Sequence, residues 1–104
     1  MIGFLKKIFS PGAPINLKDL VKNGAVIVDV RTRGEYQGGH VKGSINIPLN
    51  ELQQSASRLN KTKPVITCCA SGMRSANAKS LLKGLGFTDV HNGGGWTTLN
   101  SKLR

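Results

Sequence analysis

Ala25-Val26-Ile27-Val28-Asp29-Val30 is an apolar run of strand length, broken only by one carboxylate near its end. A strand with one wet face alternates polar and apolar residues, so an unbroken run marks a strand covered on both faces, the pattern of a parallel sheet. This is the central strand. On its N-terminal side, Gly24 closes a helical segment from Leu17 to Asn23 in which Leu17, Leu20 and Val21 share a face. Ile15-Asn16 reads as a further short strand, set off from the preceding chain by the break at Pro11-Gly12-Ala13-Pro14.

On the C-terminal side, residues 34–39 have room for one helical turn, and Ser44-Ile45-Asn46-Ile47 is a short strand. Leu49, Leu52, Ala56 and Leu59 then recur at helical spacing. Pro64 to Thr67 or Cys68 is the next buried strand, Ser75 to Leu85 a helix stopped by Gly86, and Asp89-Val90-His91 a last short strand. Gly93-Gly94-Gly95 reads as a flexible turn before Trp96, because the Gly-x-x-x-x-Gly-Lys pattern of a phosphate loop is absent. Trp96 is expected to anchor the core. Strands alternating with helices predict an α/β fold with a parallel sheet between helical layers, and such sheets bind ligands at the carboxyl ends of their strands.

With 104 residues the chain is of single-domain size and can bury a core without metal or disulfide support. The expected division is an apolar and basic arm over residues 1–13 and one domain over residues 14–104. Cys68 and Cys69 are its two cysteines, and neighbours in sequence make a poor disulfide, so a reducing, cytoplasmic setting is expected. Lys6 and Lys7 interrupt the apolar stretch from Met1 to Phe9, which argues against a signal peptide and a membrane span alike. So short a segment makes a weak helix by itself; an arm docked on the domain or left free is favoured over contact of residues 1–9 with a membrane surface. Fifteen Lys and Arg against five Asp and Glu give a formal charge of +10, which draws anionic partners. The basic residues are scattered and lack interleaved aromatics, so no nucleic-acid partner is expected.

At the end of the second buried strand the chain continues Cys68-Cys69-Ala70-Ser71-Gly72-Met73-Arg74-Ser75. A thiol there opens a loop of small residues that runs into a helix. The N-terminus of a helix presents unpaired N–H groups and the positive end of the dipole, which favour thiolate over thiol and bind an anionic substrate. No Asp, Glu or His lies in the loop, so it suits chemistry that needs a nucleophile and an anion cradle but no general acid. His40 and His91 lack partners at metal-ligand spacing, and neither a metal nor a cofactor is expected.

Three stretches resemble the single-domain rhodanese-like sulfurtransferases. Cys69-Ala70-Ser71-Gly72-Met73-Arg74 has the form Cys-x-x-Gly-x-Arg of their active-site loop. Val28-Asp29-Val30-Arg31, then Glu35-Tyr36 and the segment from Gly39 to Pro48, is similar to their upstream signature, and Gly84 to Val90 with Gly93-Gly94-Gly95-Trp96 resembles their closing segment. The similarity runs in order over residues 14–100. It implies a three-layer α/β/α fold with a five-stranded parallel sheet. It also implies an enzyme that moves sulfane sulfur from thiosulfate or a persulfide donor to cyanide or a thiol, through a persulfide on Cys69. Ala70, Ser71, Gly72, Met73, Arg74 and Ser75 would then hold the small anionic donor, Arg74 either touching the anion or fixing the loop. Asp29 and Arg31 are expected to pair in support of the loop, and Glu35 to brace an arginine.

Counting from Cys68 gives Cys-x5-Arg, the longer loop of related phosphatases, but Gly72 falls in its family position only when Cys69 opens the loop. Two other readings stay open. One is a relay that hands the persulfide to a protein acceptor; the other, less favoured, is a phosphatase built on Cys68. Cys68 otherwise reads as a small apolar residue of the sheet, pointing away from Cys69.

Overall fold

In the computed structural model, which describes residues 15–104, the central apolar run becomes β1 (Val26–Asp29). The arm over residues 1–13 lies outside the described residues. With β2 (Ile45–Asn46), β3 (Val65–Cys69) and β4 (Val90–Gly95) it forms a sheet in the order β2-β1-β3-β4, every pair parallel. Four strands stand among the described residues where the resemblance implies five. Ile15-Asn16 forms no strand: Asn16 instead caps α1 (Leu17–Lys22), its side-chain oxygen accepting from the Asp19 N–H at 3.1 Å. That bond satisfies a helix N–H that would otherwise be orphaned, and so draws Asn16 into the cap.

The strands alternate with α1, α2 (Arg33–Gln37), α3 (Leu52–Ser55, set between 3-10 turns), α4 (Met73–Gly84) and α5 (Trp96–Lys102). Strand pleating sorts the side chains into two cores. Val28, Val30, Val65 and Cys69 pack with Leu52 and Ala56 on one face and with Ala78 and Leu82 of α4. Ile27, Ile66 and Cys68 face the other way, against Leu99 of α5 and the Leu17, Leu20 and Val21 stripe of α1. The result is the expected α/β/α layering. Val28 and Ile66 are fully buried, the reason these strands show no polar alternation.

The β3–β4 ladder carries an irregularity that shapes the molecule's carboxyl end. Thr67 pairs with Asn92, yet Cys69 pairs with Gly95, so a step of two residues on β3 meets a step of three on β4. Glycines 93 to 95 thus form a bulged strand end, not the flexible turn that their composition suggests. Close approach explains Gly95: a Cβ there would stand 2.8 Å from the Ala70 carbonyl oxygen. Its φ of −68° suits any residue, so the demand is purely steric. Gly95→Ala is expected to cost ~1–3 kcal/mol by overpacking and to push the Ala70 carbonyl aside. Urea unfolding together with the alkylation rate of Cys69 reads both effects, and no change in either would show that the backbone has room to give.

Candidate functional site

Gly72 stands just before α4 with φ +102°, a left-handed conformation that a side chain adopts only at a cost. This turns the loop back over Cys69. The Cys69 Sγ accepts from the Gly72 N–H at 2.9 Å and the Ser75 N–H at 3.3 Å, and lies 3.5 Å from the Ser75 hydroxyl oxygen. Burial pushes the Cys69 thiol up, but stabilisation of the charged sulfur, by the Ser75 hydroxyl once its hydrogen turns to the sulfur and by the N–H groups of Ser75, Gly72 and Ser71, outweighs it and leaves the thiol below its ordinary value. Cys68, one residue away, lies on the opposite face of the sheet among Ile27, Val41, Ile66 and Leu99. Burial, with the nearby Asp29 carboxylate, drives its thiol up to about 12. One sulfur is held ready to ionise and its neighbour is kept protonated.

The arginines around the loop are committed to carboxylates. Arg31 is buried; its Nε lies 2.9 and 3.0 Å from the two Asp29 oxygens, and its Nη2 reaches Asp29 Oδ2 at 2.7 Å and the Gly39 carbonyl at 2.7 Å. The Trp96 ring lies 4.8 Å from the Arg31 guanidinium while also packing in the α1/α5 core, so it anchors that core and covers the cation together. Glu35 closes a capping box with Thr32 at the start of α2 and also takes both terminal nitrogens of Arg74, at 2.8 and 3.0 Å. Hydrogen bonds from Arg74 and then from the Thr32 N–H hold the Glu35 carboxyl down at about 2. The pair therefore stays intact above that range and is lost only as pH falls toward 2. The pair ties α4 to α2.

Comparison with known proteins places the chain. The family description "Rhodanese-like domain" matches residues 13–102. The chain belongs to the rhodanese-like domain family. Over 81 residues it is 36% identical to the uncharacterized protein YqhL of Bacillus subtilis, covering 77% of this chain and 64% of that protein. Over 70 residues it is 40% identical to the thiosulfate sulfurtransferase PspE of Escherichia coli, covering 65% of this chain and 67% of that one. The chain thus spans about two thirds of the length of these relatives. A solved structure described as a rhodanese with anions from E. coli superposes with a TM-score of 0.67 at 38% identity, covering 71% of this chain and 89% of that one.

Within this rhodanese-like domain the loop residues gather at the carboxyl end of the sheet. Ala70 and Ser71 are exposed at the turn, and Met73 projects outward with 77% exposure. Arg74 also rims an open, mainly apolar hollow of about 320 Å³ formed with Val30, Thr32, Pro48, Leu49 and Asn50. Two residues that no sequence motif singles out hold the loop from beneath. Thr67 Oγ1 donates to the Ser75 carbonyl at 2.8 Å, and Asn92 accepts from the Ser75 hydroxyl at 2.6 Å. A polar side chain within a strand and just before its glycine run, where Asn is ordinarily depleted, is the one signal the chain carries for Asn92. The histidines lie in local pairings: His40 stacks on Tyr36 at 3.7 Å, and His91 Nε2 meets Asp89 at 2.5 Å. Among the described residues no group of three His, Cys, Asp or Glu side chains could hold a metal ion, and no helix is long and apolar enough to cross a membrane.

Proposed function

We propose that this rhodanese-like domain is a sulfurtransferase that takes sulfane sulfur from thiosulfate or a persulfide donor onto Cys69 and passes it to cyanide or a thiol. The observation that carries the reading is the convergence of the Gly72 and Ser75 N–H groups on the Cys69 Sγ, at 2.9 and 3.3 Å, where β3 meets α4. Hydrogen bonds to the charged form favour the thiolate, which is the nucleophile. The thiolate attacks the outer sulfur of thiosulfate; a new sulfur–sulfur bond forms while the bond to the sulfonate sulfur breaks, and sulfite leaves with the electron pair. No proton moves, in keeping with a loop that has no acid in it. The charge now rests on the outer persulfide sulfur, within reach of the same N–H groups. Cyanide or a thiolate then attacks that sulfur and Cys69 departs as the thiolate, ready for another turn.

The complete burial of Cys69 favours a slim donor over a bulky one, and the +10 charge raises the encounter rate of a dianion. Similarity to a thiosulfate sulfurtransferase supports thiosulfate as donor. A phosphatase using Cys68 is disfavoured, because that thiol is pushed up to about 12 and faces the α1/α5 core. Brief incubation with thiosulfate followed by intact-mass and fragment-ion mapping tests the proposal. The expected result is one added sulfur on Cys69 that cyanide removes as thiocyanate. Loading from a persulfide donor but not from thiosulfate would move the assignment to a relay, and sulfur on neither cysteine from either donor would sink it.

A further inference from the structure

One polar side chain touching the loop has no part in the steps above. Asn92 ends the regular part of β4, and its amide orientation is dictated by backbone groups. Its Oδ1 accepts from the Gly94 N–H at 2.9 Å, and its Nδ2 donates to the Gly72 carbonyl at 3.2 Å. With the amide so placed, the 2.6 Å contact between Ser75 Oγ and Asn92 Oδ1 has the hydroxyl donating, because an amide oxygen cannot. A hydroxyl has a single hydrogen. Its other neighbours, the Gly72 carbonyl at 3.1 Å and the Cys69 Sγ at 3.5 Å, are both more distant. Toward the sulfur Ser75 therefore presents lone pairs, which accept from a neutral S–H and oppose a thiolate.

We propose that Asn92 is a positioning residue that governs Cys69 by holding the hydroxyl hydrogen of Ser75 away from the sulfur. The hydrogen swings to the sulfur only once negative charge has formed there, and each swing gives up the short bond to Asn92. This rests on the reading of Cys69 as the nucleophile. It adds a step to it: the Ser75 hydroxyl favours the thiolate only as far as Asn92 releases it. The charged groups around Cys69 are the Arg74–Glu35 pair from α4 and α2 and the Asp29–Arg31 pair at the end of β1. Beyond these, Arg33 pairs with Glu51, His91 pairs with Asp89 on β4, and Cys68 stays protonated. None of these touches Asn92, so a change at residue 92 reaches the sulfur through Ser75.

The test is the pH profile of Cys69 alkylation by iodoacetamide in the full chain, for the parent, Asn92→Ala, Ser75→Ala and the double variant. Asn92→Ala is expected to lower the midpoint by roughly one pH unit, since the freed hydroxyl becomes a donor to the thiolate. Ser75→Ala is expected not to raise the midpoint, and the double variant to follow Ser75→Ala. A midpoint raised by roughly one unit in Ser75→Ala would mean that the hydroxyl already serves the thiolate in the native protein, and would overturn the proposal even if Asn92→Ala did not fold. So would an unmoved or raised midpoint in a folded Asn92→Ala. Alkylation requires no sulfur transfer, so a failed sulfurtransferase assay leaves this result standing, and the reverse holds equally.

Discussion

Cys69→Ser is expected to reduce sulfur transfer to the uncatalysed background, a loss of at least ~10³-fold, while Cys68→Ala keeps the activity. The two residues are chemically identical and adjacent, so only their surroundings can separate them. Cys69 has backbone N–H groups aimed at its sulfur, whereas Cys68 sits in an apolar core. A serine at residue 69 would keep the hydrogen-bond partners but supply a hydroxyl that stays protonated at any working pH and forms no persulfide. In the parent, the rate of sulfur loading is expected to rise with pH through a midpoint below the ordinary thiol value of 9.0 and then level off, because the thiolate fraction saturates. Single-turnover loading with thiosulfate across pH measures both quantities. Activity lost in Cys68→Ala but kept in Cys69→Ser would show that the loop opens one residue earlier, at Cys68.

Asp29→Ala is expected to destabilise the domain by ~3–5 kcal/mol, the usual consequence of stripping one partner from a buried ion pair. Asp29 has no exposed surface and Arg31 only 4%, and the Asp29 carboxylate also accepts from the Arg31 backbone N–H at 3.0 Å. Hydrogen bonding with Asp29 is the main reason that the Arg31 guanidinium is held above its ordinary value. Without it the cation keeps the Glu35 and Gly39 carbonyls and the face of Trp96 but loses the carboxylate it is paired with. Against a typical net stability of ~5–15 kcal/mol the loss is large, so the variant should unfold at much lower urea. Replacing both partners with apolar residues of similar volume should recover part of it. A change under ~1 kcal/mol in Asp29→Ala would mean that water reaches Arg31 in the variant and the pair is not a sealed one.

Elements with strong local signals are legible in the amino-acid sequence itself. The β1 and β3 runs and the Gly24 and Gly86 stops each depend on residues close together in the chain. The apolar spacing predicts a helix from Ser75, whereas α4 begins at Met73, because Gly72 in its left-handed conformation brings the chain into helix two residues sooner. Ile15-Asn16 misleads because two residues carry no periodicity, and the Asn cap settles the matter. The glycines at 93 to 95 mislead for another reason: high conformational freedom and close packing require the same residue, and only the structure shows that Gly93 is crowded by Ile66 and Thr67 and Gly95 by Ala70, while Gly94 alone takes a left-handed φ.

Chain order alone is enough for the family's three motifs, the loop that follows a buried strand and the alternation that makes a parallel sheet, since each is carried by residues within a few positions of one another. What requires the tertiary structure is every assignment of one polar group to another across the sheet end. Glu35 and Arg74 are 39 positions apart and Ser75 and Asn92 are 17 apart, so neither pairing leaves a local pattern. The same holds for the two cysteines. Their adjacency is written in the chain, but which sulfur meets hydrogen-bond donors and which meets a dry core is decided by the helices that cover each face, because ionisation depends on surroundings and not on sequence position.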